Sequence, residues 1–186
     1  MSTTWFTSDH HFGHTNIIRY CHRPFATMEE MDAELVTRWN TRVAPDDTIY
    51  HLGDFTLGST EQAAQIFSQL NGRIFFLPGS HDHWLRKMTN PMSSRSGHPV
   101  EVCPPLVSLK FPGLGQEQNS RHPQIIVLCH YAMRVWDRSH YGAWHLYGHS
   151  HGSLPGLGKS FDVGVDCTDF YPLSLEQVAE RMAATS

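Results

Sequence analysis

Three short apolar runs, residues 4–8, 48–52 and 73–77, alternate with two stretches whose apolar residues recur at helical spacing. In the first stretch Met28, Met31, Leu35 and Trp39 follow Thr27, which stands three residues before Glu30 as in a capping box. In the second, Ser59 and Gln62 stand in the same relation ahead of Ala63, Ile66, Phe67 and Leu70, and Asn71-Gly72 stops the helix. Strands that alternate with helices, and that are apolar on both faces, predict an α/β fold with a largely parallel sheet covered on two sides. Further strands are expected at 124–129, 144–147 and 161–166, with one or two more between 100 and 111, broken by Pro104-Pro105. Residues 89–99 read as a surface loop and 112–123 as a mobile hairpin tip or linker. A last helix starts at Ser174, paired with Gln177, and buries Leu175, Val178 and Met182. Neither a repeat nor a strong boundary divides the chain, so residues 1–186 are expected to form one domain.

Composition narrows the function classes. Lys plus Arg number 14 and Asp plus Glu 18, a net charge of -4, which excludes a mainly electrostatic binder of nucleic acid or membrane surface. No run of about 18 apolar residues is present, so no membrane span is expected. The N-terminus lacks the basic and apolar regions of a signal peptide, and a cytoplasmic location follows as the expectation. Cys21, Cys103, Cys129 and Cys167 are scattered and read as reduced thiols.

Histidine is the unusual residue: 14 of them, as many as the permanent cations. His10, His11 and His14 cluster, as do His81 with His83 and His149 with His151, next to Asp9 and Asp82. Five expected strand ends carry Asp9/His11, Asp54, Ser80/His81/Asp82, His130 and His149/His151. In α/β sheets, ligands bind beyond the carboxyl ends of the strands, where separate loops converge. Four imidazoles and two carboxylates are too many for one closed tetrahedral zinc. They suit two divalent ions about 3.5–4 Å apart, an arrangement that clamps a phosphoryl group and acidifies a shared water.

Asp9-His10-His11, Gly53-Asp54, Gly79-Ser80-His81-Asp82, His130 and Gly148-His149-Ser150-His151 resemble, in order, the signature blocks of the calcineurin-like metallophosphoesterases. The flanking segments are similar to its small single-domain bacterial and phage branch. The resemblance implies a four-layer α/β/β/α sandwich, two mixed sheets flanked by helices, with a metal site at the carboxyl ends of the strands. It implies that Asp9, His11 and His151 bind a first ion, that Asp54 bridges, and that His130 and His149 bind a second. Ser80 stands where the family has an asparagine ligand to the second ion. His81 takes the place of the histidine that protonates the leaving oxygen, and Asp82 that of the carboxylate orienting its ring.

A serine hydroxyl is shorter than a carboxamide and a poorer donor to a metal, so Ser80 leaves two readings open: tolerated variation, or a weakened second site. His14, Arg23 and Arg134 are candidate substrate contacts. Trp136, His140, Tyr141 and Trp144 are candidates for the floor of a substrate groove. His83, His98, His122 and His145 read as structural or surface residues. The expected activity is hydrolysis of nucleotide-type phosphodiesters by a hydroxide held between two ions. The alternatives are a phosphomonoesterase on small phosphates or phosphoprotein, and a weakly active metal-binding scaffold. Manganese is the expected metal, with iron, zinc, nickel or cobalt compatible with the same ligands. The expected partner is the phosphoester itself, including nucleotides and single-stranded nucleic acid.

Overall fold

The computed structural model describes residues 2–114 and 122–185. Its strands are β1 (Thr4–Thr7), β2 (Thr48–His51), β3 (Arg73–Phe76), β4 (Glu101–Val102), β5 (Leu106–Phe111), β6 (Gln124–Cys129), β7 (Trp144–Tyr147), β8 (Ser160–Asp162) and β9 (Leu173–Ser174). The helices are α1 (Thr15–Tyr20), α2 (Met28–Arg42), α3 (Thr60–Phe67) and α4 (Leu175–Ala184).

The strands form two mixed sheets where the alternation alone pointed to one parallel sheet. The first runs β4-β3-β2-β1-β9, parallel except for the β1–β9 pair, and the second runs β5-β6-β7-β8, parallel except for β5–β6. Side-chain alternation explains the double layering. Trp5, Ile49, Ile74 and Phe76 face the apolar stripes of α2 and α3, where Met31, Leu35, Trp39, Ala63 and Phe67 are buried. Phe6, Leu52 and Leu77 point the other way, onto Ile126, Leu128, Trp144 and Leu146 of the second sheet.

The helix starts follow their caps. Ser59 and Ser174 accept from the Gln62 and Gln177 backbones, and each glutamine reaches back, completing both capping boxes. Thr27 makes only half of its box, because the Glu30 carboxylate accepts from Ala26 instead. Helix α1 has no side-chain cap and no periodic signature long enough to announce it.

Two expectations need correction. The strand expected at 161–166 stops at Asp162, and Val165–Cys167 is a single 3-10 turn. The implied fourth layer of helix is not seen among the described residues. The outer face of the second sheet, at Ile125, Val127 and Ala143, is covered by Met133 and Trp136 of the irregular segment 131–143. Within that segment Arg138 and Gly142, both left-handed, bound a one-turn 3-10 helix at Ser139–Tyr141 and stop it from extending into an α-helix. Helix α4 follows β9 directly, and its Val178 and Met182 join the buried cluster with Phe6, Leu52, Ile126 and Leu128. Of the expected linker at 112–123, residues 115–121 lie outside the described residues.

Candidate metal centre

The two sheets meet at one edge. Ser8, just past β1, bridges in parallel to Gly164, just past β8. Around that meeting point the chain leaves β1 into Asp9 and His11, β2 into Asp54, β3 into Ser80 and His81, β6 into His130, and β7 into His149 and His151. All six expected ligands therefore follow the carboxyl ends of parallel strands, as the strand-end pattern predicts.

The backbone that presents them is unusual. Asp9 (φ 61°), His11 (φ 53°), Asp54 (φ 55°), His149 (φ 66°) and His151 (φ 47°) are all left-handed. Such residues cost on the order of 1–3 kcal/mol each and persist where the surroundings over-determine them, often at functional sites. Gly53 and Gly79 allow the loops to crowd together. A Cβ on Gly79 would fall 2.5 Å from the Asp54 nitrogen and 2.9 Å from the His130 ring.

Of three groups among the described residues whose ligand atoms lie within 4.8 Å of one another, Asp9/His11/His151 and Asp54/His130/His149 hold the expected ligands, and the third, Cys21/His151/Asp166, joins His151 to its supporting carboxylate. Asp54 also touches the first group, its Oδ2 lying 3.8 Å from His11 Nε2 and 3.4 Å from His130 Nε2. Asp9 Oδ1, both His11 ring nitrogens and His130 Nε2 are buried without a hydrogen-bond partner. Buried polar atoms left unpaired are costly, and here they are the atoms a cation would take. The donor set, mixed imidazole and carboxylate, fits a pair of divalent ions.

The electrostatics agree. Burial pushes the Asp9 carboxyl up to about 7 against the pull of His130 and His151, and burial pushes His11 down to about 3. Burial also acts to raise Asp54, but His130, the His81 N–H and His11 outweigh it and hold the carboxyl below its usual range. A bound cation favours the ligating form of every one of these groups.

Each group has its own support. His151 Nδ1 meets Asp166 Oδ2 at 2.6 Å, which turns Nε2 toward the ligand group. Asp166 also receives Arg23 through Nε and Nη2, both at 2.8 Å. The same guanidinium donates to the carbonyls of Asp9 (2.7 Å) and His10 (2.8 Å). His130 Nδ1 donates to the Leu52 carbonyl at 2.8 Å, leaving Nε2 as the ligating atom. Supports of this kind fix the tautomer and the ring orientation of a metal-bound histidine.

Three expected roles change. Arg23 is no substrate contact: its side chain is fully buried and its nitrogens are engaged as a clamp. Asp82 does not orient the His81 ring. Its carboxylate accepts from the backbone of Asp54 (2.8 Å), Phe55 (2.9 Å) and Gly79 (2.7 Å) and from Trp84 Nε1 (3.1 Å), tying two ligand loops together. Trp144 is buried between the sheets and Trp136 donates to the Ala143 carbonyl over His145, so neither floors a groove; Tyr141, at 79% exposure, lies tilted against His140 on the surface.

Ser80, His81 and His14 lie beside the ligand groups, whereas no ligand residue lines the hollow next to Arg134. Ser80 Oγ donates to the Asp54 carboxylate, at 3.1 and 3.2 Å. His81 is half exposed, with Nε2 3.9 Å from Asp54 Oδ2 and its ring 5.4 Å from that of His11. His14 lies 5.7 Å from His11, and its Nδ1 is buried without a partner. Arg134 is exposed beside a hollow lined by Met133, Tyr147 and Leu157.

Sequence reasoning missed Asp166, placed inside an expected strand, and the buried pair His10–His51. The Gly53 N–H donates to His51 Nδ1 at 3.1 Å, so His51 carries its proton on Nε2 and passes it toward His10 Nδ1 at 3.0 Å. Burial drives both rings well below the usual histidine range, His51 to about 3. They are neutral core residues behind the metal loops, which supports leaving His10 out of the ligand set.

No family model matches the chain. It is 42% identical over 89 residues to an uncharacterized protein of Methanocaldococcus jannaschii, covering 47% of this chain and 51% of that protein. It is likewise 42% identical over 86 residues to the gene 66 protein of Mycobacterium phage L5, covering 44% and 41% respectively. The chain thus spans about half the length, or less, of the curated relatives it matches. Among solved structures, a protein of unknown function from Aquifex aeolicus superposes with a TM-score of 0.71 at 20% identity, covering 97% of this chain and all of that one. That likeness shows a shared α/β fold. Among the described residues, no helix is long and apolar enough to cross a membrane.

Proposed function

We propose that this chain is a phosphoesterase that uses two divalent ions, with nucleotide-type phosphodiesters as its substrates. The observation that carries the reading is the pair of ligand groups abutting at Asp54, with buried donor atoms that lack any other partner. Two such ions, when bound, polarise the phosphoryl oxygens and make a water more acidic.

The chain's own residues supply the rest. Asp9, His11 and His151 would hold one ion and His130 and His149 the other, with Asp54 between them. His81 stands half exposed at the mouth of the site, where it reaches a phosphoryl group lying over Asp54. In the hydrolysis, a water oxygen forms a bond to phosphorus and the bond to the leaving oxygen breaks. His81 gives that oxygen its proton, and the proton lost by the water goes to solvent. Ser80 steadies the Asp54 carboxylate. The exposed His149 and half-exposed His81 leave the site open, and an open site admits a diester with groups on both sides of the phosphorus.

The test loads the purified chain with manganese, iron, zinc, nickel or cobalt and compares bis(p-nitrophenyl) phosphate with p-nitrophenyl phosphate. Manganese-dependent hydrolysis that prefers the diester, and falls to background in Asp54→Ala, is the expected result. A strong preference for the monoester would replace the diesterase reading, and absence of hydrolysis with every metal would leave a metal-binding scaffold.

A further inference from the structure

We infer that the substrate is a single-stranded nucleic acid held by a base stacked on each of two tyrosines, Tyr131 and Tyr20, one beside each ligand group. The inference rests on the phosphodiesterase reading above and names the substrate class for it.

Tyr131 follows His130 directly and is 48% exposed. Its ring centroid lies 4.9 Å from that of His130 and 4.8 Å from that of His149, so it flanks the second group. Tyr20, at the end of α1, is 60% exposed and packs edge-on against His14 at 6.3 Å. The His14 ring in turn lies 5.7 Å from that of His11, so Tyr20 is joined to the first group through His14. Tyr131 thus rests on two ligand histidines and Tyr20 on His14, and each keeps about half of its surface or more in solvent. The tryptophans that a sequence search would choose for stacking are committed to the cores.

Tyr20 also has a cation over its ring, and a cation follows Tyr131 in the sequence. The Arg19 guanidinium lies 5.4 Å over the Tyr20 ring, and Arg134 is exposed three residues beyond Tyr131. Single strands are gripped by alternating aromatic platforms and cations, because every base offers a π face and every linkage a charge. A chain of net charge -4 cannot hold a polyanion by bulk attraction. Local stacking accounts for binding without a basic surface, and it predicts only a shallow dependence on salt. A mononucleotide ester or a cyclic nucleotide offers one base and engages only one platform.

The test uses the metal-loaded full chain with oligothymidylate and an abasic oligomer of the same length, following KM and kcat separately. Wild type is expected to prefer oligothymidylate through KM. Tyr131→Ala and Tyr20→Ala are each expected to cut that preference about tenfold, largely in KM, while Tyr131→Phe and Tyr20→Phe retain it. Equal handling of the two oligomers by wild type overturns the inference, as does an unchanged preference in both alanine variants. An effect confined to one tyrosine overturns the two-sided form. Hydrolysis of bis(p-nitrophenyl) phosphate separates the two levels. If it occurs without a base preference, this inference alone fails; if no diester is cleaved, the phosphodiesterase reading fails and takes the inference with it.

Discussion

Behind His151 stands a buried carboxylate, Asp166, itself gripped by Arg23; behind His130 stands a single main-chain carbonyl, that of Leu52. The first ligand group is braced by a charged pair that reaches 143 residues along the chain and also fastens the Asp9 and His10 carbonyls. The second is braced by main-chain contacts, by Ser80 and by the Asp82 carboxylate on the Asp54 and Gly79 N–H groups, and its His149 is exposed. The Asp166–Arg23 pair grips a ligand ring of the first group directly, whereas Asp82 holds only the backbone of the second and leaves His149 exposed, so the second is expected to depend more on the ion it would bind. The first site is therefore the one expected to fill first and to hold its ion longer.

The largest expected effect attacks the brace itself. Arg23→Ala leaves Asp166 buried with its charge half compensated and frees two carbonyls, which should cost about 3–5 kcal/mol of stability, measured by chemical denaturation of the metal-free protein. A loss under 1 kcal/mol would show that the pair does not hold the first group together. Asp166→Asn keeps the shape but weakens the grip on His151. Calorimetric titration with manganese should show the tighter binding step weakened about 10- to 100-fold with the weaker step unchanged. Equal weakening of both steps would break the distinction between the groups.

Ser80→Asn works from the other side. A carboxamide oxygen reaches further than a hydroxyl, and the weaker step should tighten by up to about tenfold with a parallel rise in turnover. Unchanged metal content and kinetics would reject that account of Ser80. The smallest effect concerns the turn after His11, where the Asp32 carboxylate accepts from the Gly13 N–H at 3.0 and 3.2 Å. Burial raises this carboxyl to about 6. An acid whose pKa is raised by folding favours the fold below its unfolded value, near pH 4, and that contribution disappears as pH rises through 6. The stability difference between wild type and Asp32→Asn should therefore change between pH 4 and 6 and be flat above 7.

Much of this was legible in the sequence because the signals were local. Ser59/Gln62 and Ser174/Gln177 mark helix starts within four residues, and Asp9, Asp54 and His130 follow apolar runs at once. The invisible parts are the long-range ones. Arg23 looks like an exposed cation until the fold brings Asp166 to it. Asp82 looks like a partner for its neighbour His81, yet its oxygens are taken by the backbone of a loop 28 residues earlier. The division of the strands into two sheets was implied by the family resemblance and not by the alternation, since β6 and β7 read like any other apolar run.

The left-handed turns at Asp9, His11, Asp54, His149 and His151 also bear on how such a site can drift. Asparagine, aspartate and histidine are the side-chain-bearing residues that enter this conformation most readily, and β-branched residues are all but barred from it. The backbone thus favours much the same residue types that a cation favours. A relative with no metal at this site would still be steered toward Asp, Asn, His or Gly at these five positions, and its sequence would keep the pattern that reads as a ligand set. The difference would surface first at His130, whose backbone is not left-handed and whose ring is tied to the fold by one hydrogen bond to the Leu52 carbonyl.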